Sequence, residues 1–170
     1  MAAASAPIIV SALFGDEDHR YLDDLRRAHF PPERNQLSAH LTMFHHLPPS
    51  VEEELRARLA QAVRQPAPPA TLAGVLNLGR GVAFRVHAPA LDAMRADLAL
   101  AFHGMLTPQD TVGWRAHVTI QNKAEPPAAK LLFQQLSASF VPRPVKLAGL
   151  AAWYYRGGPW EQIARYAFRR

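Results

Sequence analysis

The sequence contains no cysteine among its 170 residues. Its absence excludes a disulfide framework, a thiolate nucleophile, an iron–sulfur cluster and any zinc site with cysteine ligands. A chain without cysteine is compatible with a reducing compartment. We therefore expect a cytoplasmic protein.

Long apolar runs are also missing, since no segment approaches the roughly 20 residues that a membrane helix requires. The apolar stretch from Met1 to Phe14 lacks basic residues and is followed directly by Asp16, Glu17 and Asp18, unlike a signal peptide. The sequence thus predicts no contact with a membrane. Nothing in it indicates an obligate protein partner.

Lysine is scarce: only three of the 19 basic residues are lysines, Lys123, Lys130 and Lys146, and the others are arginines. With 14 acidic residues, the formal charge is +5. An anionic ligand would suit this charge, but an arginine-rich composition from a GC-rich genome would explain it equally well. The hydrophobic fraction of 49% and charged fraction of 19% are those of a globular protein.

The 15 prolines divide the chain into segments whose order is duplicated. A strand, a helix, a strand and a helix are predicted from residue 8 to 65, and again from 82 to 139. Hairpins are predicted at Gly79–Gly81 and at Gly157–Pro159. We therefore expect residues 1–170 to form a single bilobal domain, with halves of about 7–69 and 70–168 related by a pseudo-twofold axis.

The second strand of each half carries the same tripeptide pattern, His40-Leu41-Thr42 and His117-Val118-Thr119. The chance expectation for His-x-Thr with an apolar centre is roughly 0.1 in a chain of this composition. Because alternate residues of a strand share a face, each histidine lies beside its threonine, opposite an apolar face. The predicted polar faces continue through Phe44 in the first strand and, in the second, include Arg115, Gln121 and Lys123.

Paired imidazoles and hydroxyls suit the opening of a phosphodiester. Histidine titrates near pH 6.5, so one ring can accept a proton while the other donates one. Hydroxyl groups can donate hydrogen bonds to the phosphate oxygens as these gain charge. Which histidine is the acid and which the base stays open at this stage.

These motifs resemble those of the two-histidine phosphoesterase superfamily, the 2'-5' RNA ligase-like proteins. The matching segments are residues 40–44 and 117–121, and the duplicated order extends the likeness over roughly residues 7–168. The resemblance implies an α+β fold with two antiparallel sheets facing a central cleft and helices outside. It also implies action on 2',3'-cyclic phosphates, ADP-ribose 1'',2''-cyclic phosphate or 2'-5' phosphodiesters, with no metal and no cofactor.

Two departures from the family pattern leave the substrate unassigned. His45-His46 follows the first motif where family members often have a small residue, and Asn122-Lys123 follows the second where the RNA ligase branch tends to carry arginine. Adjacent strand residues point to opposite faces, so His45 and His46 are not expected to share a metal ion.

The prediction from the sequence is a phosphodiesterase acting on a cyclic phosphate of a nucleotide or RNA end. His40 and His117 are the expected catalytic pair, and Thr42 and Thr119 the expected phosphate ligands. The alternatives are a binding module without turnover and a 2'-5' RNA ligase, which runs the reverse reaction.

Three further residues are candidate substrate contacts: Lys123, Arg115 and Phe44. For Lys123 and Arg115 the alternative is an exposed cation at the end of a strand. For Phe44 the alternative is packing between the lobes. The aromatic side chains of the C-terminal hairpin, Trp153, Tyr155 and Trp160, are expected in the core rather than at the site.

Overall fold

A computed structural model describes residues 6–170. The strands in this range are Ile8–Phe14 (β1), Leu41–Leu47 (β2), Pro69–Asn77 (β3), Val82–His87 (β4), His117–Gln121 (β5), Arg143–Tyr154 (β6) and Glu161–Ala167 (β7). The helices are Asp16–His29 (α1), Glu52–Ala62 (α2), Pro89–Ala101 (α3), Pro108–Thr111 (α4) and Pro126–Ser139 (α5). The duplicated order of elements is present as β1-α1-β2-α2 in the first half and β4-α3-β5-α5 in the second, with α4 inserted.

Local sequence explains where the main helices begin and end. Helix α1 carries three acidic residues in its first turn and three basic residues in its last, which complements the helix dipole. Helices α3 and α5 have proline in their first turn, where the missing N–H costs no hydrogen bond. None of the helices described over residues 6–170 is long and apolar enough to cross a membrane.

All strand pairs are antiparallel, and the long strand β6 joins two sheets. The order is β2-β1-β6-β3-β4-β5, with β7 paired to β6. Residues 143–146 of β6 pair with β3, whereas residues 147–154 pair with β1. The predicted fold class, α+β with two antiparallel sheets, is confirmed.

The division of the sequence into halves does not coincide with the division into sheets. The C-terminal hairpin lies in the second half in sequence, yet β7 and the end of β6 extend the sheet of β1 and β2 of the first half. Strand β6 can belong to both sheets because its 12 residues are enough to pair with β3 at one end and β1 at the other.

The two ends of the strand order meet. Strands β2 and β5 contact each other, and the Trp114 indole Nε1, just before β5, donates a hydrogen bond of 3.1 Å to the Thr42 carbonyl of β2. The apolar faces of both strands are buried as predicted: Ala39, Leu41 and Met43 in one, Ala116, Val118 and Ile120 in the other. This burial leaves the opposite faces for the polar side chains.

Gly81 sets how closely the β3–β4 hairpin approaches β5. A Cβ at this position would lie 1.8 Å from the Gln121 carbonyl oxygen, a clash that only a backbone shift could relieve. We expect Gly81→Ala to lower the free energy of unfolding by about 1–3 kcal/mol, measured by urea titration. Gly113→Ala is the control, because a Cβ at that position would meet nothing within 4 Å; equal stability of the two variants would contradict the role of Gly81.

Candidate active site

His40 and His117 are held in the same way. The His40 Nδ1 lies 2.8 Å from the Ser38 carbonyl oxygen, and the His117 Nδ1 lies 2.8 Å from the Arg115 carbonyl oxygen. In both cases the acceptor is the backbone two residues before the histidine. The equivalent motifs of the two halves therefore share their local geometry as well as their sequence.

A carbonyl oxygen only accepts hydrogen bonds, so each Nδ1 carries a proton. In the neutral ring Nε2 is then the nitrogen with a free lone pair, and in the charged ring Nε2 is a second donor. The arrangement fixes the tautomer of both rings through backbone contacts alone. Each ring therefore has one nitrogen fixed by the protein and one that can exchange a proton with a ligand.

The environment of His40 favours its neutral form. Its half-buried ring lies against the Trp160 ring, with 4.6 Å between the centroids. Burial, together with positive charge on Arg26, His117 and His45, lowers the pKa of His40 to about 4 against the opposing effect of the Ser38 hydrogen bond. His40 is therefore neutral at pH 7. The influence of His117 also places the two rings within range of each other's charge.

Thr42 and Thr119 are half-buried on the strands that carry the histidines. Among residues 6–170, neither hydroxyl has a hydrogen-bond partner in the protein. Their backbone carbonyls are used instead, by Trp114 at Thr42 and by Arg26 at Thr119, each over 3.1 Å. Both hydroxyls can therefore donate to a ligand while their backbones stay fixed.

A bulge follows the threonine in each motif and corrects two predictions. The pairing register shifts between Thr42 and Phe44 in β2, and between Thr119 and Gln121 in β5. Because a bulge inserts one extra residue, the alternation of faces breaks there. Phe44 is fully buried under the Arg95 guanidinium, 4.3 Å from the ring centroid, so it has no face for a substrate. Gln121 is buried too, and its Nε2 donates to the His29 carbonyl.

The remaining cationic candidates lie outside strand β5. Arg115 precedes the strand and its side chain is exposed, while its carbonyl accepts the His117 hydrogen bond. Lys123 follows the strand with a φ of 57°. Both residues therefore lie beyond the ends of β5, which extends only over His117–Gln121, and their role as substrate contacts stays a prediction.

Trp160 is a site residue that the sequence reasoning placed in the core. It contacts the His40 ring, and with Trp153 it lines a cavity of about 390 Å³ that His40 borders. The position of the C-terminal hairpin near His40 depends on its pairing through β6 to β1. No local pattern around Trp160 indicates this pairing, so the placement could not be predicted from the residues nearby.

Arg26 is a second residue that was missed. It lies on α1 and is 4% exposed, and it donates to the Asn35 side chain over 2.8 Å and to the Thr119 carbonyl over 3.1 Å. Its guanidinium also lies 4.3 Å from the centre of the Phe30 ring. Arginine at a buried position of an amphipathic helix is the one available signal, because a charge is seldom buried without a partner.

Asp110 fixes the strand beyond the first motif. Its carboxylate accepts hydrogen bonds from the backbone N–H groups of His45 and His46 and lies 3.0 Å from the His45 Nδ1. Burial would raise the pKa of Asp110, but these hydrogen bonds outweigh it and lower the pKa. Arg95 donates to the carbonyls of Asp110 and Met43, which joins α3 to the same strand.

Within residues 6–170, no three histidine, aspartate or glutamate side chains form a group that could hold a metal ion. His45 is paired with Asp110 alone, and His46 beside it is exposed. The described side chains that meet around the histidine pair are instead hydroxyl, indole and guanidinium groups.

Two antiparallel sheets that share a strand, with a His-x-Thr motif on each of two contacting strands, define the class of two-histidine phosphoesterases. The sequence profile of the 2'-5' RNA ligase superfamily matches residues 14–159. The chain belongs to this superfamily. No curated protein matches the sequence.

Solved structures share the fold at low sequence identity. TT0787 of Thermus thermophilus is 17% identical, with a TM-score of 0.64 over 96% of this chain and 98% of its own. E. coli LigT complexed with 3'-AMP is 18% identical, with a TM-score of 0.61 over 98% and 99%. A structure described as a phosphoesterase is 19% identical, with a TM-score of 0.64 over 98% and 99%.

The lowered pKa of His40 is open to direct measurement. We expect its ring to titrate at about pH 4 in NMR spectra, and Trp160→Ala to move this pKa upward toward 6.5, because water would then reach the ring. Tyr155→Ala removes an exposed aromatic side chain of the same hairpin and is the control. Titration of wild-type His40 near 6.5, or an equal shift in both variants, would contradict this account of the site.

Proposed function

We propose that this protein is a metal-independent phosphodiesterase that hydrolyses 2',3'-cyclic or related cyclic and 2'-5' phosphodiesters of nucleotides or RNA ends. The observation that carries the proposal is the matched geometry of two His-x-Thr motifs, in which a backbone carbonyl fixes the same tautomer of each imidazole. Membership of a superfamily of phosphoesterases and ligases supports it.

In the proposed reaction, His40 is the base and His117 the acid. Neutral His40 takes a proton from water at Nε2 while the water oxygen attacks phosphorus. His117, in its charged form, gives the proton on Nε2 to the departing ribose oxygen as the bond between that oxygen and phosphorus breaks. The assignment rests on the pKa of His40, which at about 4 keeps this ring neutral at pH 7.

The two threonine hydroxyls would donate to the non-bridging oxygens of the phosphate. These oxygens gain charge as the water attacks, so donors already in position stabilise the transition state. Both hydroxyls are without a partner in the described part of the protein, and no existing hydrogen bond needs to break before they bind.

With a nucleoside 2',3'-cyclic phosphate as substrate, the product of this reaction is a nucleoside monophosphate whose phosphate is on the 2' or 3' oxygen. E. coli LigT has been solved in complex with 3'-AMP and with phosphate, which supports this class of product. The likeness of LigT to this chain concerns the fold, and the choice among nucleotide and RNA-end substrates is left to assay.

Removal of either imidazole is the first test. We expect His40→Ala and His117→Ala each to lower kcat on a nucleoside 2',3'-cyclic phosphate at least about a hundredfold, because each proton transfer contributes roughly 10²–10⁴-fold. The assay contains excess EDTA throughout. His46→Ala, an exposed histidine on the same strand as Thr42, is the control and should stay within about twofold of wild type.

Near-normal activity in either variant, or loss of wild-type activity in EDTA, would reject the mechanism. Tight binding without turnover by the wild type would favour a binding module. Joining of RNA ends through a 2'-5' bond would favour the ligase.

The threonine hydroxyls give the second test. We expect Thr42→Val and Thr119→Val each to lower kcat/KM about 10- to 150-fold, which corresponds to about 1.5–3 kcal/mol for a hydrogen bond to a charged group. Thr71→Val on β3 is the matched control, since it removes a hydroxyl from a strand that does not carry a motif. An equal effect at all three positions would show that the losses come from packing and not from phosphate binding.

A further inference from the structure

A second cavity lies beside the histidine pair, with a volume of about 570 Å³. Arg26 of α1 and Arg34 line one side, Lys123 lines another, and Tyr155 and Trp160 of the β6–β7 hairpin complete the wall. None of His40, Thr42, His117 and Thr119 is among the lining residues. The cavity is therefore a neighbour of the proposed catalytic site and not the site itself.

Two contacts connect this cavity to both motifs. The Arg26 Nη1 donates to the Thr119 carbonyl over 3.1 Å, and the Trp160 ring lies 4.6 Å from the His40 ring. Two lining residues thus each contact one of the motifs, so the cavity adjoins the space in which the motifs would hold a phosphate. The cavity thus suits the part of a substrate next to the reacting phosphate.

The charge of the cavity points to an anion. Three cationic side chains line it against one carboxylate, Glu33. Among residues 6–170, neither the Arg34 nor the Lys123 side chain forms a salt bridge or a hydrogen bond. Both side chains are exposed and can turn toward a ligand without losing a partner.

Arg26 supplies the fixed part of this charge. The oxygens that it binds, the Asn35 amide oxygen and the Thr119 carbonyl, are both neutral. Burial lowers the pKa of Arg26 and the charge of Asp23 opposes this, but the Asp23 carboxylate is hydrogen-bonded by the Arg27 side chain and the Ala39 N–H and not by Arg26. A buried guanidinium without a bound carboxylate is stabilised by an anion, and its planar fork of donors suits phosphate oxygens.

The backbone of Lys123 is held in the left-handed region, with a φ of 57°. A non-glycine residue seldom adopts this conformation unless its surroundings impose it. Here the Lys123 N–H donates to the Asn122 side chain, and the next residue, Ala124, donates its N–H to the Arg80 carbonyl. These bonds fix the turn that places Lys123 at the cavity.

We propose that this cavity is a second phosphate site, in which Arg26, Arg34 and Lys123 bind a phosphate one position away from the reacting one. The proposal rests on the proposed function and narrows its substrate to molecules with two phosphates. The second phosphate could be the 5'-phosphate of a mononucleotide or the internucleotide phosphate of an RNA end. Tyr155 and Trp160 would then contact the sugar or base between them.

Binding of unreactive product analogues tests this without any turnover. The dissociation constants of 3'-AMP, adenosine 3',5'-bisphosphate and adenylyl-adenosine 3'-phosphate are measured by calorimetry. We expect at least one of the two ligands with a second phosphate to bind about tenfold or more tightly than 3'-AMP. The ligand that binds more tightly than 3'-AMP identifies the source of the second phosphate. The gain should shrink as salt is raised, since salt screens exposed charges.

The double variant Arg34→Gln/Lys123→Gln should reduce this gain to about twofold or less. Arg20→Gln/Lys130→Gln removes the same charge from exposed positions on α1 and α5 and should keep the full gain. Arg26 is left intact because its loss would also break its contacts with Asn35 and Thr119.

Equal affinity of the wild type for all three ligands would overturn the second phosphate site, as would a full gain in the Arg34/Lys123 variant. If the control variant lost the same gain in affinity, the gain would come from net charge, and the second phosphate site would be overturned as well. Because binding is measured, an inactive wild type would reject the proposed reaction while leaving the second phosphate site supported or refuted by its own result.

Discussion

The contact between β2 and β5 is the constraint on which the site depends. These strands lie at opposite ends of the strand order. His117 is the first residue of β5, and His40 directly precedes β2. Trp114 ties the segment before β5 to the Thr42 carbonyl, and Arg26 ties α1 to the Thr119 carbonyl. Because side chains from both halves bond to the backbone of the opposite motif, the two half-sites are fixed relative to each other.

The two halves share the order of their elements and the hydrogen bond that fixes each histidine, but the surroundings of the histidines differ. Both imidazoles use Nδ1 in the same way, but only His40 has the Trp160 ring against it among the described residues. The hairpin that carries Trp160 pairs with β1 through β6, so it covers the first motif. Burial under this hairpin lowers the pKa of His40, which in the proposed mechanism suits the role of the base.

Local patterns predicted much of the fold because strand and helix periods are set within a few residues. The apolar faces around Leu41 and Val118 follow from alternation, and the duplicated order of strands and helices is present as predicted. Alternation failed at Phe44 and Gln121, where a bulge in each strand turns the next residue into the core. A bulge depends on the partner strand, so the pattern of one strand could not reveal it.

The sequence by itself determined the paired motifs and the neighbouring hydroxyls, because both depend on residue type and local spacing, and through the family resemblance it implied the antiparallel α+β fold. Only the tertiary structure decided that Trp160 covers His40 and that Arg26 lies under the second motif. It also decided that Phe44 is interior and that Lys123 borders a cavity. These features come from packing between segments far apart in the chain, where solvent exclusion and charge proximity arise only once the strands have paired.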